Sequence, residues 1–273
     1  MPLLGSFFVI STGSGVMKLI SRMKLFCSIF CNFNSRFIYF LNRIIILTKV
    51  IMMIRENREC IDKNMVPKRT ILEEIGNSIT HGVGALFAIL MFILMLLNSN
   101  TTLEYISSFV YGISMIVMMS MSCLYHAFGS ELRVKRLFRR FDYASIYLLI
   151  GGTYAPILLL LTGGIIGQVV FLVQWIIIIT GITFVSIFGP GRLKWLHFPL
   201  YFVIGWGGAM FSPIFNGSNN NLLFWIGLGG VVYTLGMIPF CIKNSKCSHF
   251  IWHFFVLVGC ILQWVGIFTN LYQ

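Results

Sequence analysis

Acid is scarce in this chain. Its 273 residues hold eight Asp and Glu against twenty Lys and Arg, only 10% are charged, and no acid follows Asp142. A soluble domain averages about 25% charged residues, so a soluble globular class is excluded. Period-2 alternation is also missing from the apolar runs, which excludes a transmembrane β-barrel. Helices are then the remaining backbone that satisfies its own hydrogen bonds in lipid. No Cys-x-x-Cys pair occurs, and the cysteines (27, 31, 60, 123, 241, 247 and 260) are odd in number. They are read as reduced thiols or small apolar residues, with Cys27 and Cys31 open to palmitoylation.

What is present is apolar length. From Gly82 onward, runs of roughly 20 residues alternate with short polar breaks, the length a hydrocarbon core demands of a helix. Seven are counted, at 82–98, 105–126, 141–161, 168–188, 197–214, 222–241 and 249–270. The expected fold is all-α, an integral membrane bundle of seven transmembrane helices. The +12 net charge could suggest nucleic acid, but its placement argues for topology. Basic residues fall within 18–69, in "SELRVKRLFRR", and at Arg192, Lys194, Lys243 and Lys246, whereas "NSNTTLE", "LTGGIIGQ" and "NGSNNN" have none. Lys and Arg gather in cytoplasmic loops, so the amino terminus is expected inside. The partners expected are membrane lipids, with some attraction to anionic headgroups, and no nucleic acid.

Residues 1–65 read as a divergent basic extension, and 66–273 as the seven-helix domain. Within the extension, "FIYFLNRIIILTKVIMMI" (37–54) is long enough to span but is interrupted by Asn42, Arg43 and Lys49, which favours an interfacial or targeting helix. "PKRTILEEIGNSITHG" (67–82) places Ile71, Leu72, Ile75 and Ile79 on one helical face. An amphipathic interfacial helix, lying on the inner surface before the first span, is the expectation. Gly151–Gly152 and "GLGG" (227–230) lie within spans, where small residues let helices approach closely.

The ionisable groups at membrane depth are few. Among the spans as drawn, the acid is Asp142 and the histidines are His126, His197, His249 and His253, with His81 just before the first. The topology puts His126 at the cytoplasmic exit of the second span and Asp142 at the start of the third. His249 and His253 open the seventh, one turn apart and facing the same way. An imidazole in lipid is costly unless something binds it. Three neutral imidazoles with one open position is the arrangement of a catalytic zinc site, water holding the fourth place. The expected cofactor is one zinc ion on His126, His249 and His253. Asp142 is the expected proton acceptor, or else a fourth ligand, and Ser122, at i and i+4 with His126, its hydrogen-bonding neighbour. His197 is read as interfacial, and Cys123 and "VMMSM" (117–121) as packing.

"EEIGNSITHGVGALFA" (73–88), "SCLYHAF" (122–128), "FDYASIYLLIGGTYAPILL" (141–159), "GGVVYTLGMIPF" (229–240) and "HFIWHFFVLVGCILQ" (249–263) resemble the hemolysin III and progestin/adipoQ receptor family. The resemblance runs from about Glu73 to the end. It implies zinc on the second-span His and both seventh-span His, with the Asp and Ser beside it; the related alkaline ceramidases share this pattern. Three functions are then open: a metal-dependent lipid amide or ester hydrolase, a cytolytic pore that would require an oligomer, and a seven-helix receptor.

Overall fold

The computed structural model describes residues 66–67, 69–129, 133–192, 194–207, 219–241 and 247–273. The reading of 1–65, including the 37–54 segment, lies outside them. Seven α-helices and no strand occur among the described residues: α1 Ile71–Leu97, α2 Thr102–Ala127, α3 Arg133–Pro156, α4 Gly164–Phe188, α5 Lys194–Trp206, α6 Asn220–Cys241 and α7 Ser248–Leu271. Six are long and apolar enough to cross a membrane. The exception, α5, has 13 described residues, about 20 Å of helix; most of the rest of the predicted 197–214 span falls in the undescribed 208–218.

Local chemistry sets the helix ends. Thr70 caps α1 by accepting from the Glu73 backbone N–H. Thr101 and Glu104 form a reciprocal capping box on α2, the Glu104 carboxylate accepting from the Thr101 N–H at 3.0 Å. Such a box satisfies two otherwise orphaned donors. Pro156 has no N–H to give, and beyond it α3 relaxes into a π-helical segment, Ile157–Thr162, that ends at Gly163 with φ 59°. A φ of that sign suits glycine.

The amphipathic segment is present, but as the opening turns of α1 and not as a separate surface element. Its apolar stripe faces outward: Ile71, Leu72, Ile75 and Ile79 are exposed, and the stripe continues through Val83, Leu86 and Leu90. Buried along the opposite face, at spacings of four and three, are Asn77, His81, Gly84, Ala88, Met91 and Met95. In lipid the apolar side is the outer side, so the polar face of this stretch turns into the protein. The third span likewise begins earlier than drawn, at Arg133. Of its basic residues, Lys135 and Arg139 are buried while Arg133 and Arg136 stay exposed.

Helices α1, α2 and α3 pack in sequence, α7 closes against α1, and α6 lies along α7; α4 and α5 pack on the far side of α3. Met91, Met95, Met115, Met118 and Met119 fill the seam between α1, α2 and α7, as expected of the "VMMSM" stretch. Close approach depends on glycine at two places. A Cβ on Gly152 would lie 2.5 Å from Ser114 Cβ on α2, and one on Gly229 would lie 3.0 Å from the Gly259 carbonyl oxygen on α7.

Candidate metal centre

Three imidazoles meet inside one end of the bundle. His126 comes from the last turn of α2, and His249 and His253 from the first two turns of α7. One ring nitrogen from each lies within 4.8 Å of the others. The Nε2 atoms of His126 and His249 are 3.3 Å apart. Two nitrogens each about 2.0–2.1 Å from a tetrahedral zinc are separated by ~3.3–3.4 Å, so this pair already has the required spacing. His126 and His253 are buried, and His253 Nδ1 has no hydrogen-bond partner. The donor set and its spacing fit a metal ion. Imidazole donors alone suit zinc, copper, iron or nickel.

The other face of the His126 ring meets a carboxylate the sequence reading left out. Glu74, on α1, accepts from His126 Nδ1 at 2.5 Å through one oxygen and from Lys135 Nζ at 2.9 Å through the other. Lys135 also donates to the Phe128 carbonyl at 2.8 Å, next to the end of α2. The expectation that Asp142 is the bundle's one acid is thereby corrected. It failed because the first span was drawn from Gly82, whereas α1 starts at Ile71 and carries Glu74 into the protein. The signal was available as an acid one turn from Asn77 and two turns from His81, on the face opposite the isoleucines.

Asp142 sits about two and a half turns into α3. Its carboxylate lies near the Ser122 side chain. Both line a cavity of about 170 Å³, together with His249 and His253. From this polar end the cavity runs between mostly apolar and aromatic side chains to Ile157 and Gln263. His253 to Gln263 is ten residues along α7, about 15 Å. All five predicted site residues therefore gather at one end of the molecule, three as a possible metal-holding cluster and two beside it.

His81 is buried and packs its ring on His253, centroids 4.0 Å apart, while its Nε2 donates to the His253 carbonyl at 3.3 Å. His197, expected at the interface, faces the protein interior. Its side chain is buried in the protein, 3.0 Å from the Tyr147 hydroxyl on α3. Cys123 packs beside Ser78, and Cys123, Cys247 and Cys260 are free thiols.

An all-helical body with six membrane-length apolar helices and an internal triad of imidazoles defines a multi-pass integral membrane protein with a site able to hold a metal. Comparison with known proteins gives the family. A family model described as haemolysin-III related matches residues 69–264, and the chain belongs to that family. Hemolysin-3 of Bacillus cereus is 33% identical over 205 residues, covering 71% of this chain and 93% of that protein. The hemolysin-3 homolog of Bacillus subtilis (strain 168) is 34% identical over 197 residues, 70% of this chain and 90% of its own length. The human monocyte to macrophage differentiation factor is 27% identical over 213 residues, 76% and 87% respectively. The motif resemblance read from the sequence is thus upheld, and the matched interval contains Glu74 as well as the three histidines and Asp142.

Proposed function

We propose that this protein hydrolyses an acyl linkage, amide or ester, in a membrane lipid, using a zinc ion held by His126, His249 and His253 near the cytoplasmic face. The observation that supports this most directly is the meeting of an imidazole cluster with one cavity: His126, His249 and His253 bring their nitrogens together, the last two line the cavity with Asp142 and Ser122, and an apolar channel runs beyond. The cytoplasmic placement rests on the basic loops that flank this end of the helices. A divalent cation bound there supplies Lewis acidity toward the carbonyl and brings the pKa of water toward neutrality.

Asp142 accepts the proton that the attacking water loses, and the Ser122 hydroxyl holds that carboxylate in orientation. As the acyl–nitrogen or acyl–oxygen bond breaks, the proton passes from Asp142 to the departing amine or alcohol, leaving a fatty acid as the second product. The apolar wall between His253 and Gln263 is matched to an acyl chain and keeps bulk water from the reacting carbonyl.

Two measurements test this. Metal analysis of the purified chain should give about one zinc per protein. Fatty acid release from vesicles should disappear in Asp142→Ala and His253→Ala while membrane insertion is unchanged. The relatives named hemolysins support a second reading, a cytolytic oligomeric pore. Lysis that survives both substitutions and is blocked by osmotic protectants of defined size would establish that reading instead. The receptor reading is the least supported: α1 and α2 are joined by four residues, and Gly163 alone separates the π-helical segment after α3 from α4, so these two connections offer little surface to a large external ligand.

A further inference from the structure

We infer that Glu74 is the positioning residue of the metal centre, fixing the tautomer and direction of His126, and that Lys135 anchors it. This rests on the metal-binding reading above. A carboxylate only accepts hydrogen bonds, so the 2.5 Å contact requires the proton of His126 to sit on Nδ1. The lone pair is then confined to Nε2, the nitrogen that lies 3.3 Å from His249 Nε2. Glu74 stands behind the ring, on the side away from that nitrogen, and so acts through His126 and is not itself a ligand. An outer carboxylate of this kind orients a ligating imidazole and raises its basicity.

The carboxylate is itself held. Its second oxygen takes Lys135 Nζ at 2.9 Å, and that lysine, 1% exposed, also donates to the Phe128 carbonyl and lies over the Tyr125 ring at 5.2 Å. Glu74 belongs to α1, His126 to α2 and Lys135 to α3, so one chain of hydrogen bonds ties three helices to one ligand. The side-chain nitrogen of Asn77, one turn further along α1, also stands 3.4 Å from Nδ1, but it gives that atom no hydrogen bond while Nδ1–H points to Glu74. A lysine buried in a membrane bundle needs a partner; here the pair also sets a ligand.

The test uses the full chain in lipid nanodiscs, stripped of metal and titrated with zinc against a chromophoric chelator, and with cobalt for its visible spectrum. Glu74→Ala should weaken zinc binding about 10–100-fold and shift the cobalt bands at saturation, because the ligand direction changes. Glu74→Gln, whose amide oxygen still accepts from Nδ1, should lose less and keep the native bands. Lys135→Met should weaken binding by a smaller factor than Glu74→Ala. Wild-type affinity and bands in Glu74→Ala overturn the inference, as does a loss of affinity with native cobalt bands and a lowered melting point of the metal-free protein. If Glu74→Ala does not fold, equal zinc affinity in Glu74→Gln, Lys135→Met and the wild type overturns it. Failure of the wild type to bind any divalent metal would instead sink the underlying reading.

Discussion

Replacing Gly152 by alanine probes whether helix spacing sets the candidate chemistry. The added methyl carbon would sit 2.5 Å from Ser114 Cβ, 2.7 Å from Ser114 Oγ and 3.2 Å from the Val110 carbonyl oxygen. Ser114 cannot rotate away cheaply, since the near atom is its Cβ and its hydroxyl is bonded to Val110 O at 2.6 Å. Carbon atoms in contact prefer ~3.5–4.0 Å, so α2 and α3 must part by about 1 Å. Overpacking of this kind costs about 1–3 kcal/mol. The displacement falls between the helix that carries Ser122 and His126 and the one that carries Asp142. Misplacing a reacting group by about 1 Å lowers a rate on the order of 100-fold.

Metal affinity should change much less, because His126 and both α7 ligands do not reside on α3. The assay compares thermal unfolding, zinc affinity and lipid hydrolysis in nanodiscs for Gly152→Ala and for Gly227→Ala. A Cβ on Gly227 meets nothing within 4 Å, so that variant should be neutral or gain up to about 1 kcal/mol from helix propensity. Equal stability and activity in the two variants would refute the packing argument. Loss of zinc in parallel with activity for Gly152→Ala would refute the separation of roles between α3 and α7.

Other expectations are simpler to test. His249→Ala removes one of the two nitrogens that stand 3.3 Å apart and should take bound zinc from about one per chain to near zero, by metal analysis after gel filtration. Asp142→Asn should keep the metal and lower hydrolysis about 10²–10⁴-fold, the usual contribution of a proton-transfer group, read by fatty acid release. Thr101→Ala breaks the α2 capping box and should cost about 1 kcal/mol, seen as a lower unfolding temperature with unchanged zinc affinity.

The seven-helix plan was legible because each apolar run matches a hydrocarbon thickness and each break is polar. His249 and His253 could be placed on one face from their spacing alone, and Ser122 with His126 in the same way. What was not legible is direction. The isoleucines of 71–79 form the same stripe whether the helix lies on a membrane or descends into one, and only packing against α2 and α7 shows that the polar side is inside. Glu74 was missed for that reason. Lys135 was missed because a basic loop satisfies the charge rule whether or not one of its members is buried. The π-helical segment after Pro156 left no mark beyond the proline itself.

The methionine seam has a consequence of its own. Thioether side chains are unbranched and soft, so a wall built from them can change shape without breaking a hydrogen bond. Met118 belongs to that seam and also faces the cavity, which gives the chamber a compliant side next to the rigid one made by hydrogen-bonded tyrosines and histidines. The Met118 sulfur is open to an oxidant entering the chamber, and a sulfoxide there would place a strong dipole against an apolar wall. Adaptability toward guests of different shape and sensitivity to peroxide are therefore two aspects of one choice of residue.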